Sequence, residues 1–341
     1  MAKNKSVSRP KKILAGFIIS VVAVAIVVLV TGRLYFRIPA QDYYKASTKA
    51  FLIPGLSDGL VAQGIDYVEP SGVYLVGGYQ KDGSASRIYR VDKESGRAKG
   101  YVVLGDKDGN GIAPHAGGLA ANGKYLYVAG DEDTFVYVFD LDEVLSGNSG
   151  NVVKTKGTFD TKFGNIEVRA DFMCFADGKF FVGEFYREPN YPTPDSHIYT
   201  GASGETNHAM ALSFKVNSDL EFGLEKQAFE VYSLPEKVQG IAVYDGKIWL
   251  SQSYATATSI ISSYDVSGKS SGVIDNEIGT AKIYSLDGKT LVSTFKAPPM
   301  AEEIVFVDGR MLIMCESASS KYLFGNITGG RWCYATDIKE V

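Results

Sequence analysis

Five apolar runs in this chain begin with polar residues: Gln63, His115, Asp171, Gln239 and the adjacent pair Glu302 and Glu303. Arg169 stands two residues before Asp171. If the fold brings these positions to one place, carboxylates, amides, one imidazole and one guanidinium converge. Oxygen donors of that kind suit a hard divalent cation, calcium or similar. A concave site with a few such groups also suits a polyhydroxylated ligand. On the first view Asp171, Glu302 and Glu303 are the expected metal ligands. His115, Asp171, Glu302 and Glu303 are then the candidates for catalysis, with a cation polarising a carbonyl and a carboxylate or His115 acting as base. On the plainer view, water and any polar residue fill the same place.

A second set lies some 15 residues further along each run. It comprises Tyr79, then Asp131, Glu132 and Asp133, then Glu184, then Gln252 and Tyr254, then Glu316. With Gln63, Arg169, Arg187 and Gln239, the residues Tyr79, Glu184, Gln252, Tyr254 and Glu316 are the expected ligand contacts. Glu184 opens the longest insertion, which continues as YREPNYPTPDSHIYTGASGETNH (186–208) and contains Arg187, His197 and His208. A loop of this length in a compact domain is functional or disordered, and its aromatics argue against disorder.

What positions these residues is a repeat. Its copies are AQGIDYVEPSGVYLVGGY (62–79), HAGGLAANGKYLYVAGD (115–131), ADFMCFADGKFFVGEFY (170–186), VQGIAVYDGKIWLSQSY (238–254) and AEEIVFVDGRMLIMCES (301–317). Each is an apolar strand, a turn ending in glycine and a second apolar strand; Asp-Gly and Asn-Gly between such runs signal a hairpin. The turn glycines, Gly72, Gly123, Gly178, Gly246 and Gly309, are 51, 55, 68 and 63 residues apart. Further strand patterns follow each hairpin, and no amphipathic helix intervenes. Four short antiparallel strands recurring at this period are the mark of propeller blades. The expectation is an all-β propeller of five four-stranded blades over 49–341, or six with an extra blade in 185–235. The last unit lacks a fourth strand, and KAFLIPGL (49–56) supplies one from the other end of the chain. In such a ring the strand starts and the loops after second strands share one face around a central channel, so all the candidates above meet there.

Ahead of the repeat, Ile13 to Val30 carries no charge, and Thr31 and Gly32 extend the run to 32. Twenty residues at 1.5 Å each match a bilayer core of roughly 30 Å. A cleaved signal peptide has a shorter apolar region and small residues before the cut, whereas here Arg33 and Arg37 follow. The expected layout is a basic tail (1–12), a transmembrane helix (13–32), a linker (33–48) and the propeller. Five basic residues precede the helix and two follow it, which places the N-terminus in the cytoplasm and the bulk outside. Against a formal net charge of −4 for the whole chain, residues 1–40 contribute +7, leaving −11 on 41–341. That acidic part is a poor partner for nucleic acid.

Other motifs carry less. Asp106 to Gly111 matches half of a calcium-binding loop, but Gly117 stands where the closing Glu belongs, so a polar turn is expected. Asn326-Ile327-Thr328 is a glycosylation sequon. Of the three cysteines, Cys315 and Cys333 pair if the fold joins them; otherwise all three are small buried hydrophobes.

On the copies at 115, 238 and 301, the chain resembles bacterial β-propeller proteins of the broad class that includes gluconolactonase-like lactonases and YVTN-like propellers. It is similar above all to membrane-anchored or secreted members of unassigned function. The lactonase resemblance implies a channel cation held by Glu, Asn and Asp side chains, roles that Glu302 or Glu303 and Asp171 match, while Gln63 and Gln239 stand where Asn would. Two functions are thereby in view. One is a surface module binding a glycan, peptide or protein. The other is a cation-dependent ester or lactone hydrolase, with a carboxylate-pair glycosidase (Glu184, Glu316) behind it.

Overall fold

Three of the hairpin turns close as their chemistry requires. Asp177 and Gly178 have φ of 51° and 71°, Asp245 and Gly246 53° and 68°, Asp308 and Gly309 50° and 73°. Both central residues are left-handed, the turn hand that matches the twist of antiparallel strands. The turns join Phe172–Ala176 to Lys179–Gly183, Val238–Tyr244 to Lys247–Gln252, and Ala301–Val307 to Arg310–Cys315. The computed structural model describes residues 9–130, 134–322 and 325–341, so Asp131, Glu132 and Asp133 lie outside the described residues.

Each hairpin extends into an antiparallel four-strand run. The first is Leu60–Val68, Val73–Gln80, Arg87–Asp92 and Ala98–Gly105. The second is Leu119–Asn122, Tyr125–Ala129, Phe135–Asp140 and Val152–Asp160. The third adds Ala209–Val216 and Leu224–Leu234 to its hairpin, and the fourth adds Ser259–Tyr264 and Leu291–Ala297. The last run takes Trp332–Thr336 and then Ser47–Leu52 from the far end of the chain, the exchange the sequence anticipates. Val103–Gly105 pairs in parallel with Val152–Lys154 and links the first two runs. A hairpin absent from the sequence reading, Gly272–Asn276 with Gly279–Ser285, runs parallel to Leu224–Leu234.

The innermost strands, beginning at Leu60, Leu119, Phe172, Val238 and Ala301, are neighbours in a closed cycle. Between consecutive runs lies an apolar layer. Leu75 and Ile88 meet Leu126 and Val128 between the first two, and Phe51 and Cys333 meet Leu60 and Tyr74 where the ring closes. Burying one such side chain contributes roughly 1.5–3 kcal/mol. This cyclic packing of antiparallel sheets around a channel makes the chain a β-propeller. All three cysteines are free thiols.

The helix Arg9–Arg37 overruns the expected span, and the rest of the chain buries none of its apolar stretch. It is long and apolar enough to cross a membrane. The Ser20 and Thr31 hydroxyls are satisfied within it: Thr31 Oγ1 donates to the Val27 carbonyl at 2.7 Å and Ser20 Oγ to the Gly16 carbonyl at 3.0 Å. The segment that follows is packed: a short helix, Gln41–Lys45, buries Tyr43 together with Ala40 against the last two runs.

Candidate functional site

The starts of the innermost strands carry irregularities in register. The pairing slips between Ala62 and Ile65, between Val238 and Gly240, and between Ala301 and Ile304. A bulge re-aims the side chains at its position, and these fall on Gln63, Gln239 and the pair Glu302 and Glu303. Successive residues of a regular strand face opposite ways. Here both Glu302 and Glu303 are buried, at 2 % and 1 % exposure.

Gln63, His115, Arg169, Asp171, Gln239 and Glu302 line one cavity of about 180 Å³ at the mouth of the channel. All five strand starts therefore converge, as the repeat implies. Two aromatics missed by the sequence reading, Phe185 and Tyr191, complete the wall. Their rings meet edge to face at 5.2 Å. Tyr191 is presented by a tight pairing with Arg187, whose N–H donates to the Tyr191 carbonyl at 3.1 Å, with the reverse bond at 2.7 Å. The long insertion is thus an ordered wall of the cavity.

Polar contacts set the protonation states. Gln63 Nε2 donates to Glu316 Oε2 at 2.8 Å, which leaves Gln63 Oε1 as the acceptor facing His115 Nε2 at 3.1 Å. The imidazole proton is then on Nε2. The Tyr79 ring lies tilted against His115 with ring centres 4.6 Å apart, and Lys321 donates to the Tyr79 hydroxyl. Asp171 Oδ2 accepts the Phe185 N–H at 2.7 Å, and Arg169 Nη2 donates to the Phe185 carbonyl at 2.9 Å, which braces the loop entrance. Burial, then the charge of Glu316, push the Glu302 carboxyl well above the ordinary range. Burial also raises Glu316, against the opposing pull of Tyr322, Lys321 and Gln63. Glu302 Oε1 is buried with no hydrogen-bond partner among the described residues, a state that ordinarily costs about 1–3 kcal/mol.

Glu303 lies deeper. Its carboxyl accepts N–H bonds from Ile65 at 2.7 Å, Leu119 at 3.0 Å and Met173 at 3.3 Å, tying three innermost strands together across the channel. It occupies the place where other copies have Gly64 and Gly240. A Cβ on Gly64 would sit 3.1 Å from Glu303 Oε2, so that glycine makes room for the carboxyl. Beyond it a second cavity of about 310 Å³ opens at the other end of the channel, beside Asp66, Cys174 and Phe306. Asp66 stands where other copies carry Ala242 and Val305, the one signal that could have singled it out. It accepts N–H bonds from Tyr67 at 2.7 Å and Ala121 at 2.6 Å, and burial raises its carboxyl to about 7.

The remaining expected contacts are placed elsewhere. Glu184 is buried and bonded to His197 Nδ1 at 2.6 Å and to the Met210 N–H at 3.0 Å. The Arg187 guanidinium covers the Tyr254 ring at 3.8 Å. Gln252 donates to the Glu236 carbonyl at 3.0 Å and accepts from Ser262 at 3.1 Å. Among the described residues, no three of His, Cys, Asp and Glu gather as a metal-holding group. Glu303 is bonded by backbone donors, so Asp171, Glu302 and Glu303 do not form a three-carboxylate set. Asp106 accepts the N–H groups of Asp108, Gly109 and Asn110 within 2.9 Å, a self-contained polar turn. The side chain of Asn326 lies outside the described residues.

No protein-family model matches this sequence, and no curated protein matches it. Among solved structures, the glutaminyl cyclase of Myxococcus xanthus is 12 % identical over 82 % of this chain and 89 % of its own, with a TM-score of 0.42. The Cps50 (Swd1) β-propeller domain of Myceliophteria thermophila is 11 % identical over 85 % and 99 %, with a TM-score of 0.38. BamB of Moraxella catarrhalis is 12 % identical over 81 % and 85 %, with a TM-score of 0.33. The propeller assignment rests on the strand pairings and cyclic packing described above.

Proposed function

We propose that this chain is a single-pass membrane protein whose five-bladed propeller binds a glycan, peptide or protein on the extracytoplasmic side. The five four-strand runs support the blade count. The five basic residues ahead of the helix support a cytoplasmic N-terminus. The observation that carries the binding reading is Glu302, which lines the channel-mouth cavity and whose Oε1 is buried with no hydrogen-bond partner among the described residues. A volume of about 180 Å³ fits one small polar group, such as a sugar ring or a peptide side chain or terminus. Glu302 and Gln239 would hydrogen-bond it, and Tyr191 and Phe185 would offer apolar faces.

The alternative is an ester or lactone hydrolase with a divalent cation held at Asp171 and Glu302. The same free oxygen favours it, but the cation would need further ligands from the substrate or water. Elemental analysis of the purified protein before and after chelation separates the two. The binding reading expects no stoichiometric metal, and binding on glycan and peptide arrays that Glu302→Gln abolishes. One equivalent of metal, lost in Asp171→Ala, would overturn it in favour of the hydrolase.

A further inference from the structure

A third cavity is built where the membrane-length helix meets the propeller. It measures about 600 Å³ and is lined by Arg33 and Arg37 of the helix, Lys49 of the closing strand, Arg331, Tyr44 and Trp332. Among the described residues, no Asp or Glu lines it. The cations lie against aromatic faces instead: the Arg37 guanidinium is 4.2 Å from the centre of the Tyr44 ring, and Lys49 Nζ 4.6 Å from that of Trp332. Such contacts leave the positive charge uncompensated. Of these four cations, Lys49 and Arg331 are exceptions on residues 41–341, which carry −11, and Arg33 and Arg37 come from the basic N-terminal segment.

The position of the cavity is as informative as its charge. Arg33 follows the last residue of the apolar run, so the recess sits at headgroup depth when that run spans the bilayer core. Tryptophan and tyrosine favour that same depth. Its walls are fixed to the helix: a Cβ on Gly32 would lie 2.8 Å from Ile327 Cγ2, so only glycine permits this approach.

We propose that this recess binds the phosphate of an anionic phospholipid headgroup and so clamps the propeller to the membrane surface. The inference rests on the reading of residues 13–32 as a membrane span, and on nothing at the channel mouth.

The test uses the full chain in nanodiscs of phosphatidylcholine with and without phosphatidylglycerol, with retained lipid counted by native mass spectrometry. The wild type is expected to retain phosphatidylglycerol selectively. Arg37→Gln with Lys49→Gln should weaken that retention about thirtyfold, while Lys269→Gln on an exposed loop leaves it unchanged. Equal retention by wild type and double variant would overturn the proposal. A second arm uses Trp249→Phe, which leaves Trp332 as the sole tryptophan, in neutral nanodiscs titrated with glycerol phosphate. A saturable shift of its emission there would assign the recess to a free organic phosphate and overturn the lipid reading. Alkaline carbonate extraction tests the span separately. Release of the wild type would mean that the span fails, whereas retention without lipid selectivity would mean that the recess proposal alone fails.

Discussion

His197 Nδ1 lies 2.6 Å from Glu184 Oε1, with both side chains at 1 % exposure or less. This bond fastens the middle of the long insertion to the third run of strands, and the insertion in turn presents Tyr191 to the channel mouth. Removing the imidazole leaves Glu184 with only the Met210 N–H and opens a cavity. His197→Ala is therefore expected to cost about 3 kcal/mol. It should also expose residues 186–208 to protease before the rest of the propeller unfolds. Thermal melts and limited proteolysis check this; an unchanged melting temperature with an intact loop would show that the bond does not anchor it.

The channel acids predict an unusual pH dependence. The Asp66 carboxyl is raised from 3.8 to about 7 by burial, so the folded protein holds a proton that the unfolded chain gives up. Stability from this group is fully present below pH 3.8 and is lost as pH rises through about 7. Glu302 and Glu303 are raised by burial too and act with the same sign. Denaturant melts across this range should show the wild type losing stability between about pH 4 and 7 relative to Asp66→Asn. Parallel curves would refute the assignment.

Gly240 is needed for the close approach of two innermost strands. A Cβ there would lie 2.7 Å from both the Glu302 carbonyl oxygen and Glu303 Cα, which are backbone atoms that cannot rotate away. Gly240→Ala should destabilise by about 1–3 kcal/mol, the usual cost of overpacking, and shift the urea midpoint down at constant slope. Gly83→Ala, in open space but at φ 75°, isolates the backbone cost of a left-handed residue. Equal losses in the two variants would remove the packing argument.

Much of this architecture is legible in the residues themselves. The Asp-Gly turns mark the hairpins, and the polar heads of the apolar runs meet at one cavity because every run starts on the same face. Four features escape such a reading. The common burial of Glu302 and Glu303 depends on a bulge that no two-residue alternation predicts. The role of Glu184 is decided by His197, 13 residues away through an irregular loop. The hairpin Gly272–Asn276 with Gly279–Ser285 is half exposed and gains its place only by pairing with Leu224–Leu234. Phe185 and Tyr191 read as ordinary loop aromatics until the insertion folds back.

Glu302 and Glu303 are adjacent carboxyls with opposite expected effects on stability. Glu303 satisfies backbone N–H groups of three innermost strands. Glu303→Met would strand those donors in the channel, at about 1–3 kcal/mol for each one left unsatisfied. Glu302 has a buried oxygen that satisfies nothing, so replacing it with an apolar side chain of similar length removes a penalty. Glu302→Met is expected to stabilise by about 1 kcal/mol while emptying the channel mouth of its main hydrogen-bonding group. Stability gained where binding is lost is what a functional site in tension with its fold produces. Differential scanning calorimetry of the two variants decides the point. If Glu302→Met melts below the wild type, that carboxyl holds the fold together and the binding proposal loses its principal support.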